Sequence, residues 1–217
     1  MTWIYLNKPS GIRSIRTLNI IKKKLQVKCG VWGILDEFAQ GLLPIATEDT
    51  TKLIDKNNDK VIKTYTFTVQ WGTMSDTGDY TGSIIANSTH IPSLDDILSI
   101  LQDFIGDINQ IPPIYSNIKI NGVRAHQLAR QGESFEMKSR LVKIFDLKVC
   151  YHNENKTTFK VEVGHGTYIR SLAQDIAIKL GTVGHLIYLR RESVQIEGLT
   201  IIPTIDLDYF IEKSENK

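Results

Sequence analysis

One carboxylate, Asp36, lies between two glycines in the run Gly33-Ile34-Leu35-Asp36-Glu37-Phe38-Ala39-Gln40-Gly41-Leu42-Leu43-Pro44, which passes straight into an apolar stretch. A carboxylate on a loop that a scaffold holds rigid has the chemistry of a nucleophile or a base. An isolated Asp in a glycine-rich loop is more often an ordinary turn residue that bonds nearby amides. Arg170, just inside a predicted helix start in Gly166-Thr167-Tyr168-Ile169-Arg170, is long enough to pair with a carboxylate and hold it ionised. Tyr65, in Lys63-Thr64-Tyr65, falls on the apolar face of a predicted strand. It is either a core tyrosine or a ring that stacks on an unstacked base. Lys63 faces the same way, two residues along, under either reading.

Other groups read more plainly. Leu189, between Tyr188 and Arg190, reads as a core strand residue. Arg190 and Arg191 point to opposite faces, so at most one shares a surface with a given site. Lys8-Pro9-Ser10-Gly11 reads as a turn, and Asp76 and Asp79 read as solvated loop acids. Gly164-His165-Gly166 lacks the glycine pattern and lysine of a phosphate loop. The five histidines are scattered and none has a partner at metal-ligand spacing, so no metal site is expected.

Elements must hold these groups. Residues 3–6 form a short strand closed by the Lys8-Pro9-Ser10-Gly11 turn. Ser14 is placed to cap a helix on which Ile15, Leu18, Ile21 and Leu25 recur at helical spacing, with Lys22, Lys23 and Lys24 on the polar side. Residues 29–41 read as loop. Residues 47–57 read as a short helix, with Glu48 and Asp49 where the helix dipole favours acids. The clearest strand is 63–71, where Tyr65, Phe67, Val69 and Trp71 alternate with polar residues. A polar loop follows over 72–82, and Ser93 opens a helix carrying Ile97, Ile100, Leu101 and Phe104. Residues 114–120 read as a strand, Asn121-Gly122 as a turn, and 125–130 as a helix closed near Gly132. Strands are expected over 142–151 and around Phe159, Val161 and Val163. A helix over 168–180 stops at Gly181, a strand spans 185–196, and a last helix spans 205–212 before a frayed tail at 214–217. Strands and helices mix without strict alternation, which points to an α+β fold with a mixed sheet.

At 217 residues the chain is long enough to bury a proper core. Its formal charge of +2 does not by itself announce a nucleic-acid binder. Arg13, Arg16 and Lys22 to Lys24 read as solvated helix faces, yet basic residues from distant segments can converge on one groove and meet phosphates. Two cysteines without Cys-x-x-Cys spacing suit a reducing compartment. The N-terminus does not read as a signal peptide and no segment is apolar for long enough to span a bilayer. A soluble cytoplasmic protein, not bound to a membrane, is expected.

Taken in order, these motifs resemble the TruB-type tRNA pseudouridine synthases from about Trp3 to about Leu207. That family has a Lys-Pro-x-Gly turn, here Lys8 to Gly11, and a catalytic loop Gly-x-Leu-Asp-Pro-x-Ala-x-Gly-x-Leu-Pro, here Gly33 to Pro44. Its Lys-x-Tyr strand and Asp-Thr-x-Asp loop correspond to Lys63 to Tyr65 and Asp76 to Asp79. A Pro-x-Tyr-Ser-x-x-Lys-x-x-Gly segment corresponds to Pro113 to Gly122. Ala129-Arg130-Gln131-Gly132, Gly166 to Arg170 and Leu189-Arg190-Arg191 complete the set. Each piece is weak, but their collinearity is strong.

The resemblance implies the pseudouridine synthase fold: a curved, mixed, largely antiparallel sheet with flanking helices and a central active-site cleft. It implies a single catalytic domain over 1–217, without a C-terminal RNA-binding domain of the PUA type. The implied reaction isomerises the T-loop uridine (uridine-55) of tRNA, with no cofactor and no metal, the enzyme acting as a monomer on the T-arm. Asp36 is then the catalytic aspartate, Tyr65 the ring that stacks on uracil, and Arg170 the arginine paired with Asp36. Leu189 closes the base pocket, and Lys8 and Tyr168 bind substrate. Two positions depart from the family's pattern: Val31 stands where a His is usual, and Glu37 where a Pro follows the catalytic Asp. A second carboxylate at 37 either raises the pKa of Asp36 or points to solvent. A catalytically impaired tRNA-binding or RNA-folding protein of the same fold is the competing reading.

Overall fold

The computed structural model describes residues 3–53, 60–196 and 198–212. In chain order these form β1 (Trp3–Lys8), α1 (Ser14–Leu25), β2 (Cys29–Val31), β3 (Gln40–Thr47), a 3-10 helix (Glu48–Leu53), β4 (Val61–Trp71), β5 (Thr73–Ser75) and β6 (Ile84–Asn87). Next come α2 (Leu94–Ile100), a 3-10 turn (Leu101–Phe104), β7 (Gly106–Gln110), β8 (Lys119–Ile120), β9 (Val123–Arg124) and α3 (Ala125–Arg130). The remainder is β10 (Arg140–Asn153), β11 (Lys156–Val163), α4 (Ile169–Lys179), β12 (Gly184–Ile196), β13 (Leu199–Ile201), β14 (Ile205–Asp206) and α5 (Asp208–Glu212). Two compact units result, Met1–Thr66 with Tyr188–Lys217, and Phe67–Ile187, and β4 and β12 each carry the chain from one into the other.

In the first unit β1 pairs antiparallel with β3 and parallel with β14, while β3 pairs parallel with β12. The pairing is therefore mixed, as expected. Leu42, Val61, Val194 and Ile201 form a buried cluster under Tyr5, Trp32 and Ile196. Strand β3 is buried along nearly its whole length, on both faces. It lies between two strands and shows no polar alternation, so its sequence carries no period-two signal. Gly41 is required where β3 meets β12: its φ is +97° and a Cβ there would strike the Arg191 carbonyl.

In the second unit β10 pairs antiparallel with β11 and β7. Phe67 stacks on Phe159 at 5.1 Å, and Trp71 meets Phe159 edge-on and donates through Nε1 to Thr157 Oγ1 at 2.8 Å. The strand predicted over 63–71, the helix over 125–130 and the Asn121-Gly122 turn are all present. Asn121 and Gly122 both have positive φ and join β8 to β9, as a two-residue hairpin requires.

Several expectations are corrected. Ser14 is not a cap. Arg13 occupies that position without a side-chain bond, and Ser14 turns inward with Thr17 and Ile21, leaving Ile15 51% exposed. Part of the predicted loop 29–41 is strand β2, paired with β3. The predicted helix at 47–57 is a 3-10 helix over Glu48–Leu53, and its later part lies outside the described residues. Residues 73–75, assigned to a loop, pair with β6. Residues 114–118 are irregular rather than strand, because carbonyls there accept from elsewhere: Tyr115 from Arg170, Ser116 from His126, and Ile118 from the Ala125 amide. Over 205–212, β14 precedes a short α5. The tail at 214–217 lies outside the described residues.

Candidate active site

Asp36 sits half-buried in the loop between β2 and β3, and the backbone around it is held almost carbonyl by carbonyl. Gly33 O accepts from Arg191 Nη2 at 2.8 Å, and Leu35 O from Ser14 Oγ at 2.7 Å. Asp36 O accepts from the Ala39 amide at 3.2 Å, Glu37 O from the Gly11 amide at 2.9 Å, and Phe38 O from Ser10 Oγ at 2.7 Å. Ser14 also accepts from the Leu35 amide at 3.0 Å, which closes a reciprocal pair between α1 and the loop. Leu35, Phe38 and Ala39 are buried, so apolar anchors flank Asp36 on both sides. A loop so constrained presents its carboxylate in one position, which general-base or nucleophilic chemistry demands.

Lys8, expected at the substrate, is fully buried. Its ammonium donates to Ile12 O at 2.7 Å, Pro9 O at 2.9 Å and Glu37 O at 3.2 Å, tying the Lys-Pro-x-Gly turn to the Asp36 loop. Burial lowers its pKa to about 8, against the pull of the Asp36 and Glu37 carboxylates. Glu37 itself points to solvent: its side chain is 57% exposed and lies 3.7 Å from Arg13 Nε. Val31 lies in β2 opposite Ile45.

Tyr65 and Leu189 are both buried, on β4 and β12, in the same compact unit as Asp36 and Lys8. Arg190 and Arg191 take opposite faces as expected. Arg190 bonds Glu192 at 2.9 Å, whereas Arg191 is buried and donates through Nε to Leu42 O at 2.7 Å.

Tyr168 and Arg170 belong to the second unit, at the start of α4. Arg170 is buried and donates to Thr77 O at 2.9 Å and Tyr115 O at 3.0 Å. It thereby joins the Asp-Thr-x-Asp loop to the Pro-x-Tyr-Ser segment. Asp79 is buried rather than solvated, a correction to the expectation above. Its Oδ1 accepts from the Thr81 amide at 2.9 Å, Thr81 Oγ1 at 2.5 Å and Thr77 Oγ1 at 3.1 Å. Those bonds compensate its burial. Asp76 is half-buried and accepts from the Ser83 amide at 2.9 Å.

Two residues went unnoticed in the sequence. Gln110, fully buried at the end of β7, holds Tyr168 from both sides of its backbone: Oε1 accepts from the Tyr168 amide at 2.8 Å and Nε2 donates to Tyr168 O at 3.2 Å. Arg140 places its guanidinium 4.9 Å from the centre of the Tyr168 ring and donates to Gly166 O. No local signal marks either, since both are polar residues whose partners lie far along the chain. Among the described residues no group of three or more His, Cys, Asp or Glu side chains could hold a metal ion, and no helix is long and apolar enough to cross a membrane.

Comparison with known proteins fits this geometry. Residues 19–169 match the family model of the TruB family pseudouridylate synthase N-terminal domain. Over 197 residues the chain is 47% identical to a tRNA pseudouridine synthase B of Rickettsia bellii, covering 89% of this chain and 67% of that protein. A tRNA pseudouridine synthase B of Ehrlichia canis is 42% identical over 195 residues, covering 88% and 64%. Among solved structures, a chain of a Cbf5-Nop10-Gar1 complex superposes with a TM-score of 0.71 at 25% identity, over 99% of this chain and 56% of that one. The fold is thus that of the pseudouridine synthases. The chain spans between about half and two thirds of the length of these three proteins.

Proposed function

The chain belongs to the TruB family of pseudouridylate synthases, and from that premise we propose that it converts the T-loop uridine of tRNA to pseudouridine. The observation that supports this best is the clamped loop, in which the carbonyls of Gly33, Leu35, Asp36, Glu37 and Phe38 are all engaged. The reaction breaks the bond from uracil N1 to ribose C1′, turns the base, and rejoins it through C5. Nothing is gained or lost. What the protein must supply is a fixed carboxylate and a site that retains the detached base. Asp36 is that carboxylate, either attacking C1′ or drawing a proton from C2′. Tyr65 is the ring under the uracil, and Leu189 closes the pocket. Lys8 acts through the loop that it holds, and Tyr168 and Arg170 are further substrate-binding groups. The target base leaves its stack before it reacts, as for other enzymes that work on a nucleobase.

The test is pseudouridine formation on an unmodified tRNA transcript, mapped to the nucleotide, for the wild type beside Asp36→Asn. The expected result is product at the T-loop uridine with the wild type, none with the variant, and tRNA binding retained by both. Normal turnover by Asp36→Asn would remove Asp36 from the mechanism. The reading as an impaired RNA-binding protein now draws on Val31 alone, since the Glu37 carboxylate points to solvent. Binding without product from the wild type would favour it.

A further inference from the structure

Lys63 is a cation without a counter-charge. It lies on β4, on the same strand face as Tyr65 and about 6.6 Å along from it. Its ammonium has no hydrogen-bond or ion-pair partner among the described residues. The neighbour that acts on it is another cation, Arg191; burial first and Arg191 second lower its pKa to about 8. Arg191 is already satisfied on two sides by Leu42 O and Gly33 O. Asp36 and Glu37 act on Lys8 instead.

Both cations lie against Gly33. A Cβ built on Gly33 would lie 3.2 Å from Arg191 Nη1 and 3.9 Å from Lys63 Nζ, so the absence of a side chain lets both charges approach the same stretch of backbone. Gly33 has φ +74° and opens the segment that carries Asp36. Two like charges brought together and partly desolvated destabilise the free protein, and an anion bound beside both would reverse that penalty. The chemistry of that anion follows from the position: beside a ring that holds a base, the available anion is a phosphodiester.

We propose that Lys63 and Arg191 form a phosphate subsite over Gly33, which takes a non-bridging oxygen of the RNA backbone next to the base held at Tyr65. The assignment to RNA rests on the function proposed above. Lys63 is the member to test, because Arg191 also supports the loop.

The experiment compares the wild type, Lys63→Met, Lys63→Gln and Lys63→Arg in two measurements. The first is thermal unfolding in chloride and in inorganic phosphate at equal ionic strength. Phosphate should raise the wild-type Tm, and the shift should vanish in Lys63→Met and Lys63→Gln. In chloride those two variants should melt no lower than the wild type, since each removes an uncompensated cation. The second is tRNA affinity against salt concentration. Losing one phosphate contact should weaken binding roughly tenfold and reduce the slope of log K on log salt by about 0.7 to 0.9, with Lys63→Arg keeping the wild-type slope. A lowered Tm in chloride with an unchanged salt slope would make Lys63 a structural residue and overturn the proposal. Wild-type protein that binds no tRNA would instead sink the functional reading, while the phosphate-dependent Tm would still report on the anion site.

Discussion

Asp36 owes its position to groups that are not themselves reactive. Ser10, Ser14 and Lys8 reach its loop from the β1–α1 segment, and Arg191 reaches it from β12. The same logic holds at Tyr168, where Gln110 satisfies both the amide and the carbonyl. Gln110→Ala would leave the Tyr168 amide without its partner, while the Tyr168 carbonyl keeps the Leu172 amide at 3.0 Å, so a loss of about 1–2 kcal/mol of stability is expected, together with a lower turnover rate. Urea denaturation beside single-turnover kinetics would check both, and unchanged kinetics would confine Gln110 to a structural role. Glu37, by contrast, forms an exposed pair with Arg13. Exposed pairs contribute little, so Glu37→Gln should alter stability by under about 1 kcal/mol and leave the rate near that of the wild type. A large rate change there would mean that this carboxylate acts on the reaction after all.

At the scale of elements, α4 carries both Arg170 and a half-buried acid. Burial raises the Asp175 carboxyl to about 6, above its ordinary value of 3.8. A carboxyl whose folded pKa is raised binds more protons in the native than in the unfolded state between those values. Stability therefore falls as pH rises from about 4 to 6, and the penalty is fully present at pH 7. Asp175→Asn should remove it, raising neutral-pH stability by about 1–3 kcal/mol and flattening the pH profile between 4 and 6. Denaturation midpoints at pH 4, 5.5 and 7 would show this, and an unchanged profile would mean that α4 hydrates the carboxylate. Helix α1 displays a different compromise. Its buried stripe is Ser14, Thr17 and Ile21 rather than the Ile15 and Leu25 of the apolar pattern, because Ser14 is engaged by the Asp36 loop.

For the molecule as a whole, buried lysines shape the alkaline limb of the stability curve. Lys8 and Lys63 both lie near 8 rather than 10.5. For a lysine the lowered value means that the unfolded chain binds more protons between about 8 and 10.5. Stability should therefore rise with pH across that window, by at most about 1.4 kcal/mol per pH unit for each lysine, until other groups titrate. Lys63→Met should take its share of that slope away. Chemical denaturation at pH 7.5, 9 and 10 would measure the slope, and a flat or falling wild-type profile would contradict the burial of these ammonium groups. The formal charge of +2 hides this arrangement, since it sums over groups in very different surroundings.

Local and collinear features were legible in the sequence. The alternation from Tyr65 to Trp71, the Asn121-Gly122 turn and the helix bearing Arg170 follow from backbone preferences and side-chain period, which act over a few residues. The order of motifs marked the family, because chance would have to supply every one of these weak pieces in the same order along the chain. Tertiary structure decided the rest. Strand β3 has no polar alternation because both its faces are buried, so only its neighbours reveal it as a strand. Asp79 reads as a solvated acid until Thr77 and Thr81 close around it. Lys8, Gln110, Arg191 and the unpaired Lys63 acquire their roles from carbonyls and charges as many as 158 positions away in the chain, as with Arg191 and Gly33. Hydrogen bonds and Coulomb forces depend on distance in space, and for such pairs the linear order of residues carries no record of it.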